Sequence, residues 1–329
     1  MDPVVIVGAG PTGIACAIEL GNRGIAAVCH DRGHILHTIY HFPEEMRWYS
    51  TRDLLDIAGI PFGVPEAHPN RLEALAYYRG VAEKFGVEVV AETEILAIEP
   101  RPGGGLDVSA RDRSGPRSFP APAAILATGF FDNPRRLDVP GEDLPHVHRR
   151  FLSGYPFHDR DVVVIGGKNS ASEAALDLYR HGARVTLLVR GPAISERVKY
   201  WIKPDLENRI RAGAIRAIFN ARILEITSGL VRVETAERGE ESVRAAAVFP
   251  LIGYEPDFAL FERCGIRVEG PLRIPAHDPA TLESNVPNLY LAGAILGGTE
   301  IGHIFIENSR HHAAWIAAAI EKRLKYVPA

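Results

Sequence analysis

The chain contains an internal repeat. Val4-Val5-Ile6-Val7-Gly8 lies over Val162-Val163-Val164-Ile165-Gly166, and the register holds without a gap for about thirty residues at an offset of 158. Gly13 falls on Ala171, Ala17 on Ala175, Leu20 on Leu178, Gly24 on Gly182, and Arg32-Gly33 on Arg190-Gly191. Each copy opens with a β-branched run lacking polar alternation, as in a parallel strand covered on both faces, and continues through a glycine turn into apolar residues at helical spacing. This is a βαβ unit present twice. A second echo follows each: Ala124 to Phe130 and Val248 to Tyr254 are apolar strands that end in glycine plus an aromatic. The predicted class is therefore α/β, with two Rossmann-like dinucleotide-binding domains. The spacing also predicts a helix from Arg71 to Phe85, strands near Val87 to Val90, Leu106 to Ala110 and Leu289 to Gly293, and helical character from Ile304 to Leu324. The last strand and helix need a sheet to complete, so one domain is expected over residues 1–133 and 253–329, with the other, 134–252, inserted in it.

Gly8-Ala9-Gly10-Pro11-Thr12-Gly13 reads G-x-G-x-x-G directly after a strand and before a helix, the context in which the motif cradles a pyrophosphate. Gly8 permits the tight turn, Gly10 lets phosphate approach the backbone, and Gly13 lets helix and strand pack closely. Pro11 suits the first helical turn, where its missing N–H would have no partner. Asp31, at the end of the next strand, is placed to accept hydrogen bonds from a ribose. The second copy, Gly166-Gly167-Lys168-Asn169-Ser170-Ala171, keeps the first glycine and the final small residue but puts Lys168 where the middle glycine stood, as a cation for a pyrophosphate. Val189 occupies the place of Asp31, followed by Arg190. Loss of the acid beside a bidentate cation favours NADPH over NADH. Gly253 completes the expected NADPH site. Arg32 stands at the matching position of the first copy, so a general strand-end role for Arg190 is the alternative.

The 37 basic and 41 acidic residues give a net charge of −4 without any block of one sign, which argues against nucleic acid and anionic membrane as partners. The 31 glycines and 24 prolines stay below the roughly 25 to 30% that marks disorder. Three cysteines, Cys16, Cys29 and Cys264, form neither a disulfide framework nor a C-x-x-C pair. A reducing compartment is expected, no apolar run approaches the roughly 18 residues of a membrane span, and the reading is a cytoplasmic protein. No metal is expected: His34, His37 and His41 would share one helix face, but their segment has little helical patterning. Trp48, Tyr49, Trp201 and Trp315 are expected in buried core or at an interface.

The duplicated nucleotide fold and the Ala127-Thr128-Gly129 strand end resemble the FAD-dependent flavoproteins of the thioredoxin reductase type. More narrowly, ATGFFDNP at Ala127 to Pro134, VPGEDL at Val139 to Leu144, DVVVIGGKNSA at Asp161 to Ala171 and IFIEN at Ile304 to Asn308 resemble the bacillithiol disulfide reductase family. The resemblance runs nearly end to end. It implies FAD at the first turn, with Thr128, Gly129, Gly293, Ala294 and Ile304 completing the site, the helix at Ile304 pointing its N-terminus at the flavin, and a homodimer. It also implies a small-molecule disulfide as electron acceptor. Ala292-Gly293-Ala294 lacks the aspartate that holds the ribityl chain in ordinary thioredoxin reductases, as this family does. One residue departs: where the family commonly has a cysteine, the chain has Thr12, so the catalytic group is unassigned and a cofactor-positioning hydroxyl is expected. Cys16 is expected to be a small buried hydrophobe.

Three other readings share the cofactors. Electron transfer to ferredoxin or flavodoxin needs no enzyme dithiol. An oxygenase is suggested by Phe151, Gly154 and His158, which miss the F-x-G-x-x-x-H monooxygenase fingerprint by one residue. A nucleotide sensor would bind FAD that NADPH cannot reduce.

Overall fold

The computed structural model describes residues 2–300 and 302–325. The chain falls into two compact units, one holding the residues up to Asn133 and again from Tyr254, the other Pro134–Gly253.

The first unit opens with β1 (Val4–Val7), α1 (Pro11–Gly21), β2 (Ala27–His30), the one-turn helices α2 (His37–Tyr40) and α3 (Arg52–Leu55), α4 (Arg71–Lys84) and β3 (Glu88–Val90). An antiparallel sheet of β4 (Glu94–Pro100), β5 (Leu106–Asp112) and β6 (Gly115–Ala121) precedes β7 (Ala124–Leu126). The second unit carries β8 (Asp161–Ile165), α5 (Asn169–Arg180), β9 (Arg184–Leu188), α6 (Lys203–Arg211), β10 (Arg216–Ile218), the antiparallel β11 (Arg222–Ile226), β12 (Leu230–Thr235) and β13 (Gly239–Arg244), and β14 (Ala247–Pro250). Back in the first unit come α7 (Phe258–Arg263), the hairpin strands β15 (Val268–Glu269) and β16 (Ile274–Pro275), β17 (Leu289–Leu291), α8 (Ile306–Ser309) and α9 (His312–Lys325).

Each unit is built on a parallel sheet, in the order β17-β7-β1-β2-β3 in the first and β10-β9-β8-β14 in the second. The fold class read from the repeat is thus the observed one. Equivalent strands are buried along their whole length, β1 as Val4-Val5-Ile6-Val7 and β8 from Val162 onward, which explains the unalternated β-branched runs. In the first unit β17 closes the sheet against β7, pairing Leu289 with Ala124 and Leu291 with Leu126. Local chemistry sets the ends: at α4, Asn70 Oδ1 accepts from the Glu73 N–H at 2.9 Å while the Glu73 carboxylate accepts from the Asn70 N–H at 2.8 Å, a reciprocal cap.

One expectation needs correction. The helix read across Ile304 to Leu324 is two helices, broken at Arg310-His311, with Ile304 in the preceding loop. Arg310 at the break is ion-paired with the Asp56 carboxylate and donates to the Asp56 carbonyl at 3.2 Å, a contact across 254 residues invisible to periodicity. The four-residue α8 has too few aligned peptides for the dipole expected at Ile304. Of the tryptophans, Trp48 packs against the core, and Trp201 and Trp315 are 45% and 48% exposed, outside the core half of their expected placement.

The backbone constraint at the first turn is Gly8, whose φ is +107° and whose absent Cβ would lie 2.6 Å from the Ala127 carbonyl oxygen. Gly8→Ala is expected to destabilise the protein by about 1 to 3 kcal/mol in thermal unfolding. Gly21→Ala, whose Cβ would meet nothing within 4 Å, is expected to be neutral or slightly stabilising.

Candidate functional site

At the first glycine turn β1 gives way to extended backbone at Gly10, and α1 begins at Pro11 with no side-chain cap. Those uncapped N–H groups are what an anion at a helix start would meet. Gly13 packs so tightly that a Cβ there would sit 2.0 Å from the Gly8 carbonyl oxygen, whereas a Cβ on Gly10 would meet nothing within 4 Å. The middle glycine thus opens on free space, and its neighbours are closed. Asp31 does more than the sequence suggested. Its Oδ2 accepts from the Ala9 N–H at 2.9 Å and its Oδ1 from the Gly33 N–H at 2.8 Å, so the carboxylate braces the turn from beneath. Each oxygen keeps a second acceptor position for a ribose hydroxyl.

Three further groups lie close in the same unit. Thr128 follows β7, and its Oγ1 is buried without a hydrogen-bond partner among the described residues; Gly129 after it has φ +63°. The His37 ring packs on Gly33, where a Cβ would be 2.2 Å from Nδ1, and that nitrogen is also buried and unpartnered. Burial, then the His41 charge, holds His37 below the usual imidazole range, so its ring is neutral. Beyond β17, Gly293 is buried and Ala294 partly so. An open glycine cradle, an orphaned threonine hydroxyl and an acid with spare acceptor capacity fit a dinucleotide.

The second turn repeats the geometry. Gly166 has φ +144°, and its Cβ would lie 2.5 Å from the Leu251 carbonyl oxygen, as Gly8 lies against Ala127. Ala171 is fully buried at the place of Gly13, while Lys168, at the N-cap of α5, and Ser170 are exposed. Gly167 meets Val189, the residue at the place of Asp31, with a would-be Cβ 2.8 Å from Cγ1. Arg190 is exposed at the end of that strand, whereas Arg32, its counterpart, pairs with Asp132 at 3.1 Å. Gly253 has φ +106° and accepts from the Arg135 N–H at 3.0 Å, joining the two ends of this unit.

A segment that sequence reasoning missed completes the second turn. The Ser195 N–H donates to the Gly167 carbonyl at 3.0 Å, and the Lys199 N–H to Asn169 Oδ1 at 2.9 Å. Asn169 therefore acts as an anchor for this loop, which carries Arg197 and Lys199 alongside the turn. The Lys199 ammonium lies 5.8 Å over the Trp201 ring, and Tyr200, 82% exposed, meets that ring edge-on. The only signal in the sequence was the polar Asn169 at a helix start.

Cys16, Cys29 and Cys264 are all buried and free. Burial pushes the Cys16 thiol far up, with further upward pushes from Cys29 and Glu19, and it pushes Cys29 up to about 12 and Cys264 up to about 11. The oxygenase-like residues are structural: Phe151 packs edge-on to Phe249, His158 Nδ1 lies 3.0 Å from the His181 carbonyl, and Gly154 abuts the Asp177 backbone. The VPGEDL stretch is a clasp in which buried Glu142 accepts from the Leu137 and Asp138 N–H groups at 2.8 and 3.1 Å and pairs with Arg136. Among the described residues no helix is long and apolar enough to cross a membrane.

Comparison with known proteins agrees with this geometry. The sequence matches the pyridine nucleotide-disulphide oxidoreductase family over residues 5–293. It is 36% identical to the bacilliredoxin reductase Bdr of Bacillus subtilis over 322 residues, covering 98% of each chain. The fold superposes on bacillithiol disulfide reductase Bdr from Bacillus cereus with a TM-score of 0.94 at 36% identity, covering 98% of this chain and 99% of that one. The Staphylococcus aureus enzyme gives 0.92 at 34% identity and the same coverage. With two glycine turns on two parallel sheets and relatives matched nearly end to end, the chain belongs to the pyridine nucleotide-disulphide oxidoreductase family and is an oxidoreductase of its bacillithiol disulfide reductase group.

Proposed function

We propose that the chain is an NADPH-dependent FAD flavoprotein that reduces a low-molecular-weight disulfide, bacillithiol disulfide being the compound its relatives' names specify, without using a thiol of its own. The observation that carries the reading is the pairing of two formed nucleotide turns with three buried, free thiols. FAD held at the first turn supplies two-electron chemistry for the overall exchange NADPH + H⁺ + RSSR → NADP⁺ + 2 RSH. Gly8, Gly10, Pro11 and Gly13 present backbone to its pyrophosphate, Asp31 accepts from its ribose, and Thr128 and Thr12 offer hydroxyls. Thr12 cannot stand in for a cysteine: its hydroxyl has no sulfur to form a mixed disulfide.

At the second turn Gly166, Gly167 and Lys168 meet the NADPH pyrophosphate. Asn169 holds the 195–199 loop in place, and Ser170 and Ala171 continue the turn into α5. Arg190 faces the 2′-phosphate, and the missing acid at Val189 removes the group that would repel it. Soluble residence in the cytoplasm and a homodimer complete the proposal, motivated by the unpaired cysteines and by family resemblance.

Two outcomes are expected. Burial raises all three thiol pKa values, so at pH 8 the native protein should not react with an aromatic disulfide reagent, and three thiols should titrate after unfolding. The same shifts predict stability that is full below about pH 9 and falls as pH rises toward about 11, because the unfolded chain ionises its thiols first. In the second test, NADPH should reduce the flavin in preference to NADH, and Arg190→Ala should raise the Michaelis constant for NADPH by roughly 10- to 150-fold. Equal use of NADH by the parent, or an unaffected variant, would overturn the NADPH assignment.

A further inference from the structure

Gly293, just past β17, has φ +83° and uses its N–H as a donor to His312 Nδ1 at 3.2 Å. The face of Gly293 where a Cβ would stand is closed by Thr12, with Oγ1 at 3.2 Å and Cγ2 at 3.3 Å. Thr12 Oγ1 in turn lies 3.4 Å from the hydroxyl of Ser309, which is 2% exposed. Four segments, the start of α1, the end of β17, α8 and the first residue of α9, thus meet in one polar knot. His312 is suited to it: burial, with the His277 and His311 charges, holds its pKa down to about 4, so the ring is neutral and Nδ1 keeps the lone pair it needs. Its ring also stacks on Trp315, with centroids 5.6 Å apart and planes 28° apart.

The position of the knot gives it meaning. Thr12 belongs to the glycine turn, and Gly293 leaves the same sheet two strands away, so the knot fixes the separation between the pyrophosphate cradle and the far end of any ligand lying across the strand ends. Resting on the reading that FAD occupies the first turn, we propose that His312 and Ser309 are positioning residues for the flavin end of that site, acting through the Gly293 amide and the Thr12 hydroxyl.

The test starts from apo protein titrated with FAD, followed by flavin fluorescence and by the visible circular dichroism of the bound flavin. His312→Ala should weaken FAD binding about tenfold or more and change the dichroic band, while His312→Asn, which keeps an acceptor near Nδ1, should restore much of both. Ser309→Ala and Thr12→Val should be strongly non-additive in the double variant, since they remove the two ends of one contact. Unchanged affinity and dichroism in His312→Ala, or additive Ser309 and Thr12 effects, would each overturn the proposal. If His312→Ala does not fold, the Ser309 and Thr12 cycle decides. Failure of the parent itself to bind FAD would instead remove the reading on which the knot rests.

Discussion

At the carboxyl end of β1 the backbone of Gly8 passes the Ala127 carbonyl so closely that no side chain fits between them, and Gly166 passes Leu251 in the same way in the second unit. This crossing of a glycine turn over a neighbouring strand end sets both sites. It forces positive φ at Gly8 and Gly166, delivers the chain into a helix start with unpaired N–H groups, and leaves open space above Gly10. The parallel sheets place that opening at their carboxyl ends, where ligands of such folds collect. Burial of β1, β7 and β17 on both faces holds the crossing rigid.

The two copies share this frame and differ in charge. In the first, Asp31 braces Ala9 and Gly33, and Arg32 is drawn to Asp132, so both strand-end charges are engaged. In the second, Val189 packs on Gly167, the brace is supplied by Asn169 and the 195–199 loop, and Arg190 is exposed beside the turn. One duplicated scaffold therefore has an acid-lined site and a cation-lined site. That difference is the physical basis for assigning two different dinucleotides to it.

Much of this was legible in the sequence because it is local or periodic: the repeat, the β-branched strands, the turns with Gly8, Gly10 and Gly13, and the helix start at Asn70. What was not legible depends on contacts between distant residues. Arg310, at the break in the last helix, reaches Asp56, and His312 reaches back to Gly293. Lys199 folds onto Asn169, and Asp31 spends its first lone pairs on backbone rather than on a ligand. No pattern of spacing encodes such pairs. The choice between core and surface for the aromatic residues was not legible for a related reason: Trp201 and Trp315 carry the hydrophobicity of core residues but lie on faces half open to solvent.

In the proposed reaction electrons pass from NADPH through the flavin to a disulfide with no protein thiol on the path. Cys16, Cys29 and Cys264 are buried, and alanine is the small apolar replacement for each, at the cost of the long Cys29 Sγ–H donation to the Gly13 carbonyl at 3.7 Å. The direct measurement is anaerobic NADPH oxidation with bacillithiol disulfide as acceptor, comparing the parent with the Cys16→Ala, Cys29→Ala, Cys264→Ala triple variant, both folded and loaded with FAD. The account predicts that the variant retains most of the turnover and yields two thiols per NADPH consumed. Turnover present in the parent and lost in the folded, flavin-loaded variant would contradict it.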